Sequence, residues 1–215
     1  TVEAHQSLLQ AVDFESRLDR FLWGHQGVVT AAAFSPDGKT LACASSDKHV
    51  ILWDLATSRP SRILDAENPV TSVTFSLDGT KLAAGVSTGG SGSVVLWNLA
   101  TSQRVAPPTG HRLATKTMAF SPDGKTLASG GMDGNILLWN AETGEQKKIL
   151  LPSGASVFAL AFSPEGERLA AATGATVTLV WDLELEQSQS IGVPTSHKNP
   201  VWAVAFSPDW KTLAS

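Results

Sequence analysis

Cysteine is almost missing from this sequence. Cys43 stands alone among 215 residues, which excludes an internal disulfide framework and zinc sites built from several thiolates. Charge is thin as well: 17% of residues are charged, with Lys+Arg 16 against Asp+Glu 20 and a formal net charge of −4. That balance supplies no general attraction to nucleic acid or to anionic lipid, so neither is expected as a partner. No apolar run approaches the roughly 20 residues that a membrane-spanning helix needs. The opening TVEAHQSLLQAVDFESRLDRFLW lacks a basic start, an apolar middle and a small-residue cleavage site, so a cytoplasmic location is the default expectation. His5 and His49 have no neighbour at metal-ligand spacing, and no carboxylate pair is poised for acid–base work. No metal, cofactor or catalytic residue is therefore expected.

What the sequence has instead is repetition. FSPDGKTLASGGMDGNILLW, Phe120 to Trp139, is written again as FSPDGKTLACASSDKHVILW from Phe34, FSLDGTKLAAGVSTGGSGSVVLW from Phe75 and FSPEGERLAAATGATVTLVW from Phe162. A fifth copy, FSPDWKTLAS, begins at Phe206. The leading phenylalanines are 41, 45, 42 and 44 residues apart, and the closing tryptophans are Trp53, Trp97, Trp139 and Trp181. A period in the low forties marks a stacked or radial repeat architecture.

Each copy predicts the same parts. VVTAAAFS reads as a short strand, and Ser35-Pro36-Asp37-Gly38 as a turn in which Pro presets φ, Asp tolerates the third position and Gly takes a positive φ. TLACASS, HVILWDL and SRILDA read as three further strands. Four short antiparallel strands make a small sheet that is apolar on both faces, and radial packing buries both. Asp37, Asp78 and Asp123 are turn formers in this reading. Residues 1–20 read as a helical or irregular lead-in, and RLDRFLW as a single strand before Gly24-His25. The divisions expected are 1–20 for the lead-in and 21–215 for the repeats, with units near 24–66, 67–109, 110–152, 153–195 and 196–215.

Gly24-His25 with Trp53-Asp54, and Gly110-His111 with Trp139-Asn140, place His and Trp 28 residues apart in two copies. Trp97-Asn98 and Trp181-Asp182 continue the series, and Ser196-His197 opens the fifth. Over residues 21 to 215 the chain resembles the WD-repeat β-propellers. The resemblance implies an all-β fold of four-stranded blades, four complete and part of a fifth. It also implies a brace within each blade of His, Ser or Thr, Asp and Trp. Its best match is His111, Ser129, Asp133 and Trp139. The first blade offers His25, Asp47 and Trp53, with Cys43 at the serine's place. Ala66 replaces His in the second blade, whose Asp turn is expanded to STGGSGS, and Ser153 and Ala175 replace His and Asp in the fourth. These two blades are expected to rely on apolar packing and to be softer.

His111, Ser129 and Asp133 are also the residue types of a nucleophilic triad. The recurrence of a His and Asp pair in the first blade, and the indole donor of Trp139, favour a structural brace. Ser87 to Ser93 is Gly-rich but has no Gly-Lys-Ser/Thr ending and opens no helix, so a lengthened hairpin is expected rather than a phosphate loop.

Counting four residues back from each leading Phe gives Thr30, Thr71, Lys116, Phe158 and Trp202, a column free to vary in size and charge. In WD-repeat proteins this end of the inner strand surrounds the channel mouth and meets partners. Lys116, Phe158 and Trp202 are nominated first, then Arg112, Lys198 and Met132, because aromatic and cationic side chains anchor interfaces. The competing expectation is that Phe158 and Trp202 pack between blades. Trp210 stands where the other copies have the turn glycine, which predicts a changed turn. The last residues, Thr212-Leu213-Ala214-Ser215, match the middle of a blade, so a piece of a longer protein is expected, with self-association through an unclosed edge. The function implied is a non-enzymatic scaffold that binds protein or peptide on one propeller face. Two alternatives stay open: the C-terminal sensor propeller of a larger signalling NTPase or kinase of the kind met in bacteria, and a propeller hydrolase.

Overall fold

The computed structural model describes residues 21–105, 109–150, 154–175, 178–184, 191–193, 197–209 and 211–215. The lead-in, His5, Ser153, Ser196 and Trp210 lie outside them. Among the described residues every regular element is a strand.

Blade one comprises β1 (Val29–Phe34), β2 (Thr40–Ser45), β3 (His49–Asp54) and β4 (Arg59–Asp65), paired antiparallel in sequence order. Blade two comprises β5 (Val70–Phe75), β6 (Lys81–Ser87), β7 (Gly92–Asn98), β8 (Gln103–Val105) and β9 (Thr109–His111). Blade three comprises β10 (Thr115–Phe120), β11 (Thr126–Gly131), β12 (Ile136–Asn140) and β13 (Gln146–Leu150). Blade four comprises β14 (Val157–Phe162), β15 (Arg168–Thr173), β16 (Thr178–Asp182) and β17 (Ile191–Val193), and a final pair is β18 (Ala205–Phe206) with β19 (Leu213–Ala214).

The four-stranded pattern holds in blades one, three and four. Blade two departs from it, because its outer edge is made by two pieces, β8 and β9, both paired to β7. Of the strand expected before Gly24, RLDRFLW, only Phe21–Trp23 lies within the described residues. Phe21–Trp23 has no ladder partner among the described residues, and Leu22 instead packs on Cys43, Ile51 and Trp53.

Alternation along each strand builds the core. In blade two Leu82, Ala84, Val86, Val95 and Trp97 face blade one, where they meet Ala42, Ala44, Val50, Leu52 and Leu64. Ala83, Val94 and Leu96 point the other way and meet Leu127, Leu137 and Trp139 of blade three. Ala128, Ile136 and Leu138 then meet Leu169, Ala171 and Trp181 of blade four. Period-2 strands with apolar residues on both faces are what sheets stacked between two neighbours require. Small alanines on the second strand of each blade let the sheets approach closely.

The turns at one end behave alike. Gly38, Gly79, Gly124 and Gly166 have φ of 68°, 70°, 67° and 83°. The Ser35 hydroxyl donates to Asp37 Oδ1 at 2.6 Å, and Lys39 N–H donates to the same oxygen at 3.0 Å. The donated Ser35 hydroxyl, then Lys39 N–H, hold the Asp37 carboxyl below its ordinary range. In blade two the Gly-rich stretch prolongs β6 and β7 into a hairpin closed by Thr88 N–H to Ser91 O at 2.9 Å. A Cβ on Gly92 would lie 2.3 Å from the Leu113 carbonyl oxygen, so this glycine lets the hairpin lie against the next blade.

Candidate partner-binding site

The end of the blades opposite these turns is held by the brace residues. In blade three His111 Nδ1 lies 3.1 Å from Asp133 Oδ1, His111 Nε2 lies 2.8 Å from Ser129 Oγ, and Trp139 Nε1–H donates to Ser129 Oγ at 2.8 Å. Proton accounting fixes the directions. Asp133 can only accept, so Nδ1 carries the hydrogen. Ser129 Oγ accepts from the indole and donates its own hydrogen to Nε2, which suits a neutral imidazole. Burial lowers the His111 pKa below its ordinary value of 6.5, against the pull of Asp133. Burial of Asp133 opposes its ionisation, but Arg112 N–H, Asn135 N–H and His111 outweigh it and keep the carboxyl low.

The order Ser–His–Asp is that of a nucleophilic relay, yet the set has no open side. Ser129 is 0% exposed and His111 3%, and the indole already occupies the serine oxygen. No reacting carbonyl has room beside it, so these three residues cannot act as a nucleophilic triad as they stand.

Blade one builds a variant. His25 Nδ1 lies 2.9 Å from Asp47 Oδ2 and Nε2 lies 3.0 Å from the Cys43 carbonyl oxygen. Both partners are acceptors, a carboxylate and a backbone carbonyl, where blade three has a carboxylate and a serine hydroxyl. Burial works against ionised Asp47, but hydrogen bonds from His25, Gln26 N–H and His49 N–H prevail and hold its pKa far down. Burial raises the Cys43 pKa and keeps the residue a thiol.

Blade two has Ala66 at the histidine's place and Ala84 at the serine's. Its neighbour Glu67 forms an ion pair with Arg104 of β8 at 2.6 Å. In blade four Ala171 takes the place of Ser129, and the buried Trp181 Nε1–H has no hydrogen-bond partner among the described residues.

At this same end the inner strands share one irregularity. The register of β1 with β2 shifts between Val29 and Ala31, that of β5 with β6 between Val70 and Ser72, that of β10 with β11 between Thr115 and Thr117, and that of β14 with β15 between Val157 and Ala159. The residues inside these shifts are Thr30, Thr71, Lys116 and Phe158. The variable column is thus a column of bulge residues, released from the alternation that fixes their neighbours.

The column is not wholly free of packing duty, which corrects the expectation drawn from its variability. The Thr30 hydroxyl donates to Val70 O of blade two at 2.8 Å, and the Thr71 hydroxyl donates to Thr115 O of blade three. A bulged threonine therefore ties its strand to the next one. Phe158 and Trp202 stack with ring centroids 4.3 Å apart and planes at 20°, so the pair does pack across the junction of blade four with the fifth unit. The stack is nevertheless open, with Trp202 68% exposed. Lys116, Arg112 and Lys198 are exposed, and Met132 is 44% exposed. The structure thus places all six nominated residues at the end of the blades where the inner strands begin. Blade three supplies Arg112, Lys116 and Met132, blade four Phe158, and the fifth unit Lys198 and Trp202.

Comparison with known proteins agrees with the geometry. The family model described as WD domain, G-beta repeat matches residues 16–54, 58–98 and 102–140. The second and third matches each run from an outer strand to the third strand of the following sheet, and the first ends on the third strand of blade one. Among curated proteins, the chain is similar to Protein LST8 homolog of Drosophila melanogaster, 34% identical over 110 residues, covering 49% of this chain and 34% of that protein. It is similar to Protein HIR1 of Candida albicans, 29% identical over 126 residues, covering 51% of this chain and 14% of that protein. It is also similar to a guanine nucleotide-binding protein subunit beta of Arabidopsis thaliana, 31% identical over 127 residues, covering 55% of this chain and 33% of that protein. The matches thus span at most about a third of these relatives. A solved structure of U3-55K superposes with a TM-score of 0.74 at 22% identity, covering 87% of this chain and 57% of that one, which speaks for the fold alone. The three tandem matches take in more than half of the 215 residues, and the chain belongs to the WD domain, G-beta repeat family.

Proposed function

We propose that the chain is a non-enzymatic scaffold that binds protein or peptide on the end of the blades where the inner strands begin. The observation that carries this reading is the bulge repeated in four inner strands. It frees Lys116 and Phe158 from the ladder and gives them to the surface, and in blade three the brace beneath Lys116 holds the backbone still. A side chain on a fixed backbone loses little ordering entropy when a partner arrives. An open aromatic stack beside exposed cations has the character of an interface anchor rather than of a catalytic cleft. The similarity to a G-protein beta subunit, named as part of an assembly, supports the same reading.

The test is alanine at Phe158 and Trp202 together. Capture of peptides selected on the parent chain should be lost. The melting transition should stay close to the parent's, because the stack contributes about 0.5–1.5 kcal/mol beyond area burial. Unchanged capture, or a variant that no longer folds, contradicts the proposal.

A further inference from the structure

We infer that the strand-start end of blades three to five takes an acidic linear segment of a partner protein, one carrying a large apolar side chain. This rests on the reading of that face given above and adds the chemistry of its occupant.

The charge there is one-sided. Arg112, Lys116 and Lys198 are exposed, and no ion pair joins any of them to a carboxylate among the described residues. Asp133, the one described carboxylate at this end of blade three, is already engaged. Its oxygens accept from His111, from the N–H groups of Arg112 and Asn135, and from the Asn135 side chain, and its side chain is 5% exposed. The other carboxylates at this end, Asp47, Asp65 and Glu67, belong to blade one and its link to blade two. Asp47 is held by His25, and Glu67 by Arg104.

The opposite end differs. Its turns mix the two signs, with Asp37, Asp78, Asp123, Glu165 and Asp209 accompanied by Lys39, Lys125 and Lys211. In a chain of net charge −4, the strand-start end of blades three to five thus carries exposed cations and no free carboxylate among the described residues, at the same end as the open Phe158–Trp202 stack. Trp202, Met132 and Leu113 add exposed apolar surface around those cations, at 68%, 44% and 46% exposure. Opposite charge steers and orients an incoming segment, and a large apolar group seated on the Phe158–Trp202 stack supplies the anchor. A nucleic-acid strand fits less well. It needs a groove of cations following successive phosphates, whereas three cations at one end of an acidic chain make only a patch.

The experiment is to pan a random peptide library on the purified chain at low salt. The enriched sequences are then remade as fluorescent peptides and titrated into the parent, Lys116→Glu, Trp202→Ala and, as a control at the opposite end, Lys125→Glu. All three changed side chains are exposed, so each variant should fold. The inference expects enriched peptides of net negative charge with a Trp, Phe, Leu, Ile or Met. Affinity should fall about tenfold or more for Lys116→Glu and for Trp202→Ala, stay put for Lys125→Glu, and weaken as salt rises from about 0.05 to 0.5 M. Neutral or basic peptides that still need Trp202 overturn the acidic-segment inference and leave the binding face intact. Peptides indifferent to both Lys116 and Trp202, or no enrichment at all, overturn the face and the inference together. A labelled oligouridine that binds the parent and is released by Lys116→Glu also overturns the inference, by assigning those cations to phosphate.

Discussion

Replacing Ser129 by alanine removes one oxygen atom and should weaken blade three more than its size suggests. That oxygen accepts from Trp139 Nε1–H and donates to His111 Nε2, each at 2.8 Å. Both partners are buried, so no water takes over. Leaving a buried donor or acceptor unsatisfied costs about 1–3 kcal/mol, which puts the loss for the pair at roughly 2–4 kcal/mol. Steric change contributes nothing, since Ala84 and Ala171 occupy the same place in blades two and four with ordinary packing. Such a loss is a large share of the roughly 5–15 kcal/mol by which a domain is stable. Urea unfolding should therefore show a midpoint lower by about 1 M or more at unchanged slope, for a slope of about 1–3 kcal/mol per M. Hydrogen exchange should quicken first in β11 and β12. Ser129→Cys, which installs the residue that blade one carries there, should fall between parent and alanine, because sulfur is a weak acceptor. A destabilisation below about 0.5 kcal/mol for Ser129→Ala would refute the claim that the network holds the blade.

Blade four offers the converse. Ala171→Ser should give the unpartnered Trp181 Nε1–H an acceptor and raise the urea midpoint by an amount near 1 kcal/mol, whereas a lower midpoint would show that the hydroxyl cannot reach it. Acidification should act in two stages. The His111 pKa is lower folded than unfolded, so its contribution is complete above the unfolded value near 6.5 and is lost as pH falls below it. Asp47 and Asp133 are also lower in the folded chain, so their contribution is complete above 3.8 and is lost below. A melting temperature that does not fall between about pH 7 and 5 contradicts the first stage. Amide exchange should be faster in β15 and β16 than in β11 and β12, because blade three has the closed network and blade four does not. Equal protection would mean that apolar packing alone sets blade stability.

The architecture was legible because it is repeated. Phe120 with Trp139 recurs at Phe34 with Trp53, and the four turns that open on Ser and close on Gly need a glycine whose φ of 67° to 83° the sequence signals by itself. The spacing of His111, Ser129, Asp133 and Trp139 likewise places the four groups within one sheet. The bulge was not legible, since it is a matter of register between two strands and leaves no residue signature: threonine in blades one and two, lysine in blade three and phenylalanine in blade four occupy it. Glu67 and Arg104 meet across 37 positions of chain and replace a brace whose absence alone could be read. Thr30 and Thr71 share the column of the nominated anchors, and their inter-blade hydrogen bonds, which no sequence pattern announces, give them a separate role.

The measurement that bears most directly on the account is amide hydrogen exchange of the chain with and without a selected peptide at saturation. Protection should rise at residues 112–117, 131–135, 155–158 and 197–203, where the inner strands begin and the bulge residues emerge. Protection confined to the turns at residues 35–39, 76–80, 121–125 and 163–167 would place the partner on the opposite end and contradict the account.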